Sequence, residues 1–313
     1  MRVFFFNEYD YLSQIRIRLQ FEEGVILAKL FTNNKIWYLH TSIRLNKILN
    51  LPFKKYWYKK YFDVKNKEDI DYVYFSEYVS PAYDKNYLNY LRKNYPKAKL
   101  VFNLSNPIND ENHKYVHSLL KEFDHVISFD DKDVMNYGFT YYNGLYEPDL
   151  SIKKNENSCD IFFAGRGKNR LDFVHAIYQH LSRNNIKCEF YLYDVPLEKQ
   201  LENTNIHYNT WLPYNILLQR VANSNVVLEI LQDNQSGFSM RTCEALSYKK
   251  RLITNNSDII KQPFYDPKYI RVVNSIDDFD ISSIKSEYTP EYKEFDLSTK
   301  RFIAFLDNLC KTM

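Results

Sequence analysis

The sequence predicts an α/β protein of two doubly wound domains, each built on a mostly parallel sheet, and three observations carry that expectation. The chain has 313 residues, more than one ordinary small domain needs and suited to two of roughly 150 residues each. Through the first half, short apolar runs alternate with stretches of helical periodicity, as a sheet wrapped by helices requires. The pattern then restarts: the polar, proline-containing and aperiodic stretch Glu147 to Ser158 (EPDLSIKKNENS) gives way at Cys159 to a fresh apolar run. Residues 1–150 therefore form the expected first domain, 151–295 the second, and 296–313 a C-terminal helix.

The elements follow in order. Val3 to Phe6 reads as the first strand. Ser13 can cap a helix whose apolar positions Ile15, Leu19, Ile26, Leu27 and Leu30 keep helical spacing, with Asn33-Asn34 ending it. Further strands are expected at Ile36 to Leu39, Tyr72 to Phe75, Leu100 to Leu104 and His125 to Phe129. In the second half the strand Cys159 to Ala164 leads through Gly165-Arg166-Gly167 into a helix from about Asn169 to Ser182. A strand at Cys188 to Tyr193 comes next, then Trp211-Leu212-Pro213-Tyr214 opens an amphipathic helix. The strand Val226 to Ile230, a polar loop, a helix near Ser239 to Tyr248 and the strand Leu252 to Thr254 complete the domain. Phe302, Phe305, Leu306 and Leu309 share one face of a last packing helix.

Composition narrows the function classes. Hydrophobic residues at 45% and charged residues at 26% give a globular balance without a disordered half. A net charge of +3 is far from the footprint of a dedicated nucleic-acid binder, so no nucleic acid is expected. Cys159, Cys188, Cys243 and Cys310 are widely spaced with no Cys-x-x-Cys pair, which indicates neither a disulfide framework nor a zinc ribbon and fits a reducing cytoplasm. The opening MRVFFFNEYDYL turns polar at Asn7, too early for a signal-peptide core, and no apolar run approaches the ~18 residues of a membrane span.

With only 6 glycines in the chain, their positions carry information: Gly165, Gly167 and Gly237 all fall between a predicted strand and a predicted helix. A helix N-terminus presents unpaired N–H groups and the positive dipole end, and glycine lets an anion come close to the backbone. The loop in FFAGRGKNRLDF adds Arg166, Lys168 and Arg170; the one in DNQSGFSMRTCEAL adds Ser236, Ser239, Arg241 and Thr242. Two such loops in one domain point to a diphosphate held between them. The competing reading makes the glycines turn or cap residues and the charges solvated, and neither loop matches the Walker phosphate loop or the full dinucleotide fingerprint.

The stretch SGFSMRTCEALSYKKRLITNN, Ser236 to Asn256, resembles the donor-binding segment of group-1-like GT-B glycosyltransferases of bacterial surface polysaccharide synthesis (capsule, lipopolysaccharide or exopolysaccharide). There a glycine-containing loop leads into a helix bearing Glu-Ala and then a short strand. WLPYNILLQRVANSNVVLEI is similar to the family's approach to this site. The resemblance implies two Rossmann-like domains facing a cleft, the last helix crossing back to the first domain, nucleotide recognition in the second domain and the acceptor in the first. Family members often carry two glutamates eight positions apart. Glu244 matches the second, which implies a ribose contact, while Ser236 stands where the first would be. Arg241 matches an arginine that implies a diphosphate contact. The expected donor-binding set is Gly165, Arg166, Gly167, Lys168, Tyr193, Tyr214, Ser236, Gly237, Phe238, Ser239, Met240, Arg241, Thr242 and Glu244. Tyr191, Tyr193 and the Trp211 to Tyr214 run either stack on the base or belong to the core.

A departing nucleoside diphosphate needs its growing charge stabilised. Arg166, Lys168, Arg241 and the loop N–H groups are expected to do this without metal or other cofactor. An inverting enzyme also needs a base on the acceptor hydroxyl; Asp10, Glu77 and Asp110, with Glu8 beside them, each follow or end a predicted strand. The acceptor expected from the resemblance is a glycan or lipid-linked glycan. Three further features stand in the first domain. The run Phe53 to Phe62 (FKKYWYKKYF) interleaves lysines with aromatics, as a surface touching anionic headgroups does, though a solvated amphipathic helix has the same pattern. His113 and His117 share a helix face with no further ligand motif. Asp131-Lys132-Asp133 follows a strand in the manner of the Asp-x-Asp metal site of GT-A transferases, and Asp130 or Asp131 equally serves as an ordinary helix cap. From another class, a degenerate transferase that scaffolds polysaccharide assembly without catalysis fits the loss of the first glutamate at Ser236.

Overall fold

Each half of the chain closes its apolar runs into one parallel sheet. The computed structural model describes residues 1–6, 12–29, 58–77, 79–108, 118–156, 158–233, 235, 237–286 and 288–311. The first sheet contains β1 (Arg2–Phe5), β2 (Val25–Leu27), β3 (Tyr72–Ser76), β4 (Lys99–Asn103), β5 (His125–Ser128) and β6 (Thr140–Tyr141), in the spatial order β2-β1-β3-β4-β5-β6. Every residue of β3 is buried, because helices cover both faces of a parallel sheet and a central strand has no solvent side. The second sheet contains β7 (Cys159–Arg166), β8 (Cys188–Tyr193), β9 (His207–Tyr208), β10 (Ser224–Glu229), β11 (Arg251–Thr254) and β12 (Ile270–Val272), in the order β12-β11-β10-β7-β8-β9. Numbered within its own sheet and read from β9, that order is 3-2-1-4-5-6, the Rossmann arrangement.

The described helices are α1 (Ser13–Leu19), α2 (Lys85–Asn94), α3 (Asp131–Tyr137), α4 (Leu171–Arg183), α5 (Tyr214–Ala222), α6 (Met240–Ser247), α7 (Ile281–Lys285) and α8 (Thr299–Lys311). The chain divides into two compact units, Met1–Tyr142 with Thr299–Met313, and Asn143–Ser298. In the first unit α8 buries Phe302, Ile303 and Leu306, with the Phe302 ring 5.4 Å from Tyr74 and 4.8 Å from Tyr142. Arg2 grips Asp307 through both carboxylate oxygens, Nε to Oδ1 at 2.7 Å and Nη2 to Oδ2 at 2.6 Å, the fork geometry that makes arginine–carboxylate pairs strong. In the second unit, α4 lays Val174, Ile177 and Leu181 against Ile161, Phe190 and Leu228 of the sheet. Leu217, Leu218 and Val221 of α5 pack with Phe162 and Val227 in a second cluster.

Several expectations need correction. The first helix ends at Leu19, and Val25–Leu27, expected as its continuation, pairs with Arg2–Phe4 as β2. Gly24 at φ +71° makes the turn between them, and a short apolar run looks the same to either period. The edge strands β6, β9 and β12, two or three residues long, are too short to show alternation. Tyr58, Tyr61 and Phe62, expected on a lipid-facing surface, are buried, with Tyr61 and Phe62 against Phe5 and Tyr58 against Tyr87; only Lys59 and Lys60 of this part are exposed. Asp131 and Asp133 do not converge on one exposed site. Asp130 caps α3 by accepting from Lys132 N and Asp133 N, while the buried Asp133 carboxylate accepts from Ile108 N and, at 2.9 Å, from the Ser128 hydroxyl. The expected strand at 36–39, together with Glu8, Asp10, Lys54, Lys55, Asp110, His113, His117 and Ser236, lies outside the described residues. No described helix is long and apolar enough to cross a membrane.

Candidate functional site

In an open parallel sheet, ligands bind beyond the carboxyl ends of the strands where the winding reverses. In the second sheet that point lies between the neighbouring strands β7 and β10. The two loops singled out by their glycines leave these two strands, so topology alone sets them side by side.

The first loop folds inward around an arginine. Gly167 N donates to Tyr193 O at 2.9 Å, Lys168 to Arg170 make a short 3-10 turn, and Arg170 turns back over the strand ends. Its Nε donates to Arg166 O at 2.9 Å, its Nη1 donates to Ile230 O after β10, and its guanidinium lies over the Phe163 ring. One side chain thus ties the loop after β7 to the loop after β10. Gly165 makes room for it, since a Cβ there would fall 2.4 Å from Arg170 Nη2. At Gly167 a Cβ would meet Leu171 and Val195 at 3.1 Å. These two glycines are therefore explained by their own packing, where close anion approach was expected. Burial pushes the Arg170 pKa down to about 10; the Glu229 charge opposes this and Arg241 adds to it. Arg166 and Lys168 are exposed, and Arg166 forms a 3.2 Å ion pair with Asp194, at the rim of the site.

The second loop is organised by two buried carboxylates. Gly237 adopts φ +77°, a left-handed conformation in which other residues are strained, and its carbonyl accepts from Asn256 Nδ2 at 2.8 Å. Ser239 caps α6, accepting from Arg241 N at 3.0 Å, and its own hydroxyl donates to Glu229. Glu229, the last residue of β10 and 2% exposed, also accepts from Thr242 Oγ1 at 2.7 Å and Thr254 Oγ1 at 2.6 Å. One turn into α6, Arg241 Nη1 donates to Glu244 Oε2, and Tyr214 OH donates to Glu244 Oε1 at 2.9 Å. Glu244 is fully buried. Burial raises its pKa to about 6, with Arg241 and Tyr214 holding it down. Phe238 packs into the core against Phe264 and Phe295, and Met240 lies against the same cluster. Tyr193 is half-buried at the end of β8.

The structure thus gathers Gly165, Ser239, Arg241, Thr242, Glu244 and Tyr214 of the expected set. Glu229 and Arg170, outside that set, join them. Their signals in the sequence are slight: Arg170 is one of three basic residues in its loop, and Glu229 is a lone carboxylate inside the apolar run NVVLEIL. Tyr191 stacks on His207 at 4.4 Å in the sheet-edge packing, and Trp211 is exposed. Of the expected bases only Glu77 is described. It is 1% exposed and accepts from Ser105 N at 2.6 Å and Asn106 N at 3.0 Å, fastening the end of β3 to the loop after β4. Among the described residues, no group of three His, Cys, Asp or Glu side chains is arranged to hold a metal ion.

No protein-family model and no curated protein matches the sequence. Solved structures similar to it include Methanocaldococcus jannaschii UDP-GlcNAc 2-epimerase in complex with UDP-GlcNAc and UDP, at 12% identity over 98% of both chains and a TM-score of 0.46. An α,α-trehalose-phosphate synthase (UDP-forming) from Burkholderia vietnamiensis is 14% identical over 71% of this chain and 62% of that chain, with a TM-score of 0.40. Spinosyn rhamnosyltransferase SpnG is 10% identical over 82% of this chain and 80% of its own, with a TM-score of 0.38.

Proposed function

We propose that the protein is a GT-B glycosyltransferase that takes its sugar from a nucleotide-diphosphate-sugar donor bound at the switch point of the second sheet. The acceptor on this reading is a bacterial glycan or lipid-linked glycan of surface polysaccharide synthesis, met at the cytoplasmic face of the membrane. One observation carries the proposal: Arg170, Arg241 and the start of α6 converge where the loops after β7 and β10 meet.

Cleaving the anomeric C–O bond sends a pair of electrons onto the diphosphate. Two guanidiniums and a helix start, already oriented, stabilise that charge without reorganising during the step. A guanidinium carries five N–H donors, so Arg241 can stay on Glu244 and still reach a phosphate. Glu244 then aims Arg241 first, and it reaches a ribose hydroxyl only when one of its present donors yields. The base on the acceptor hydroxyl would come from the first unit, with Asp10, Glu77 and Asp110 the candidates.

The test is calorimetry of nucleoside diphosphates with EDTA present. Binding should persist, because the basic loops take the role that a metal plays in GT-A enzymes. A strict need for Mg²⁺ or Mn²⁺, lost on changing Asp131 and Asp133, would overturn the metal-independent reading. Transfer or hydrolysis of a nucleotide sugar would exclude a purely scaffolding role.

A further inference from the structure

The Glu229 carboxylate is 2% exposed and receives three hydroxyl protons, from Ser239, Thr242 and Thr254. Among the described residues no cation forms a salt bridge with it. A buried carboxylate whose direct hydrogen bonds here come from hydroxyls, with the Arg170 guanidinium acting on it through space, is a costly way to fill space, and a well-packed apolar side chain at such a place is often neutral or stabilising. Its partners, however, sit on the segments that must be in register for the turn at 237–241 to hold its shape. Ser239 and Thr242 begin α6, and Thr254 ends β11.

The direction of each hydrogen bond follows from the charge. An ionised carboxylate only accepts, so all three hydroxyls point their protons at Glu229 and keep their lone pairs for other donors. Ser239 Oγ then accepts from Arg241 N at 3.0 Å. Thr254 Oγ1 accepts from Asn256 N at 3.0 Å, and the Asn256 amide donates to Gly237 O at 2.8 Å. Both ends of the turn are fixed from one carboxylate, directly through Ser239 and by relay through Thr254 and Asn256. A glutamine of the same shape accepts at one end only: its NH₂ would have to donate to one of these hydroxyls, whose own proton would then lose the oxygen that now accepts it.

We propose that Glu229 is the positioning residue of the donor site, orienting the 237–241 turn and the start of α6 toward the diphosphate. This rests on the donor-site reading above. The test is calorimetry of UDP, GDP, ADP and dTDP, and of the matching nucleosides, with the full-length wild type, Glu229→Gln and Thr254→Val, each checked for native circular dichroism. Glu229→Gln should weaken diphosphate binding about tenfold or more and Thr254→Val by less, with nucleoside binding changed by less than about twofold. A purely structural role would lower the melting temperature without this split. If Glu229→Gln does not fold, Thr254→Val decides alone: diphosphate-selective loss supports the proposal, and wild-type binding overturns it. Folded variants that bind diphosphates as the wild type does, or lose nucleoside and diphosphate equally, overturn the positioning role and leave the donor-site reading standing. A wild type that binds no diphosphate removes that reading, and the role of Glu229 with it.

Discussion

Arg241 and Glu244 lie one turn apart on α6, and their ion pair is among the most enclosed in the described structure. Enclosure makes it pH-sensitive. The carboxyl pKa, about 6 folded against 4.5 for an ordinary glutamate, is raised by burial, so the folded state holds the proton more tightly than the unfolded chain does. That contribution to stability is complete below the unfolded value and is lost as pH rises through about 6. Relative to a Glu244→Gln variant, which has no such proton, wild type should lose about 1 kcal/mol of stability between about pH 5 and pH 7.5. Urea unfolding of both proteins across that range checks this; a difference that stays constant with pH would show that Glu244 does not titrate there. At this scale the sequence revealed what its local pattern contains. Ser239, Arg241 and Glu244 fall within one helix start and could be singled out. Glu229 could not, and Arg170, named with the charges of its loop, could not be told from Arg166 and Lys168, because the importance of both arises from the pairing of β10 with β7 and β11, which brings together residues far apart in the chain.

Among the elements, the loop after β7 depends on a glycine for a reason that its sequence does not display. Gly165 leaves the space that Arg170 fills. Gly165→Ala should therefore displace the guanidinium from Arg166 O and Ile230 O, costing about 1–3 kcal/mol in stability and weakening diphosphate binding in the same variant. Unchanged unfolding and binding curves would show that Arg170 yields without consequence. Gly237→Ala tests a different quantity, the left-handed turn at φ +77°, and should cost about 1–2 kcal/mol. Strands of four or more residues were readable from their apolar runs. β2 was absorbed into a helical pattern, and β6, β9 and β12 gave too few residues for any period.

At the scale of the whole chain, the two sheets follow from apolar patterning, as does the face that α8 buries, which Phe302 and Leu306 share; the return of α8 to the first unit was implied by the family resemblance alone. The Arg2–Asp307 clamp joins the first strand to this last helix. Asp307→Ala would leave the guanidinium without its partner, and an apparent loss of about 1–3 kcal/mol is expected in the unfolding of the first unit. A melting profile identical to wild type would assign the docking of α8 to its apolar face alone. What the patterning could not supply is the acceptor side, where Asp10 and Asp110 lie outside the described residues and Glu77 is buried. The functional reading therefore stands on the second unit. It is tested most directly by titrating UDP, GDP, ADP and dTDP into wild type and Arg241→Ala with metal chelated. At least one diphosphate should bind wild type. A charge-assisted hydrogen bond of about 1.5–3 kcal/mol predicts roughly ten- to a hundredfold weaker binding by the folded variant, with the matching nucleoside scarcely affected. Equal binding of every diphosphate by the two proteins would contradict it, and would leave the loop after β10 as a helix cap and nothing more.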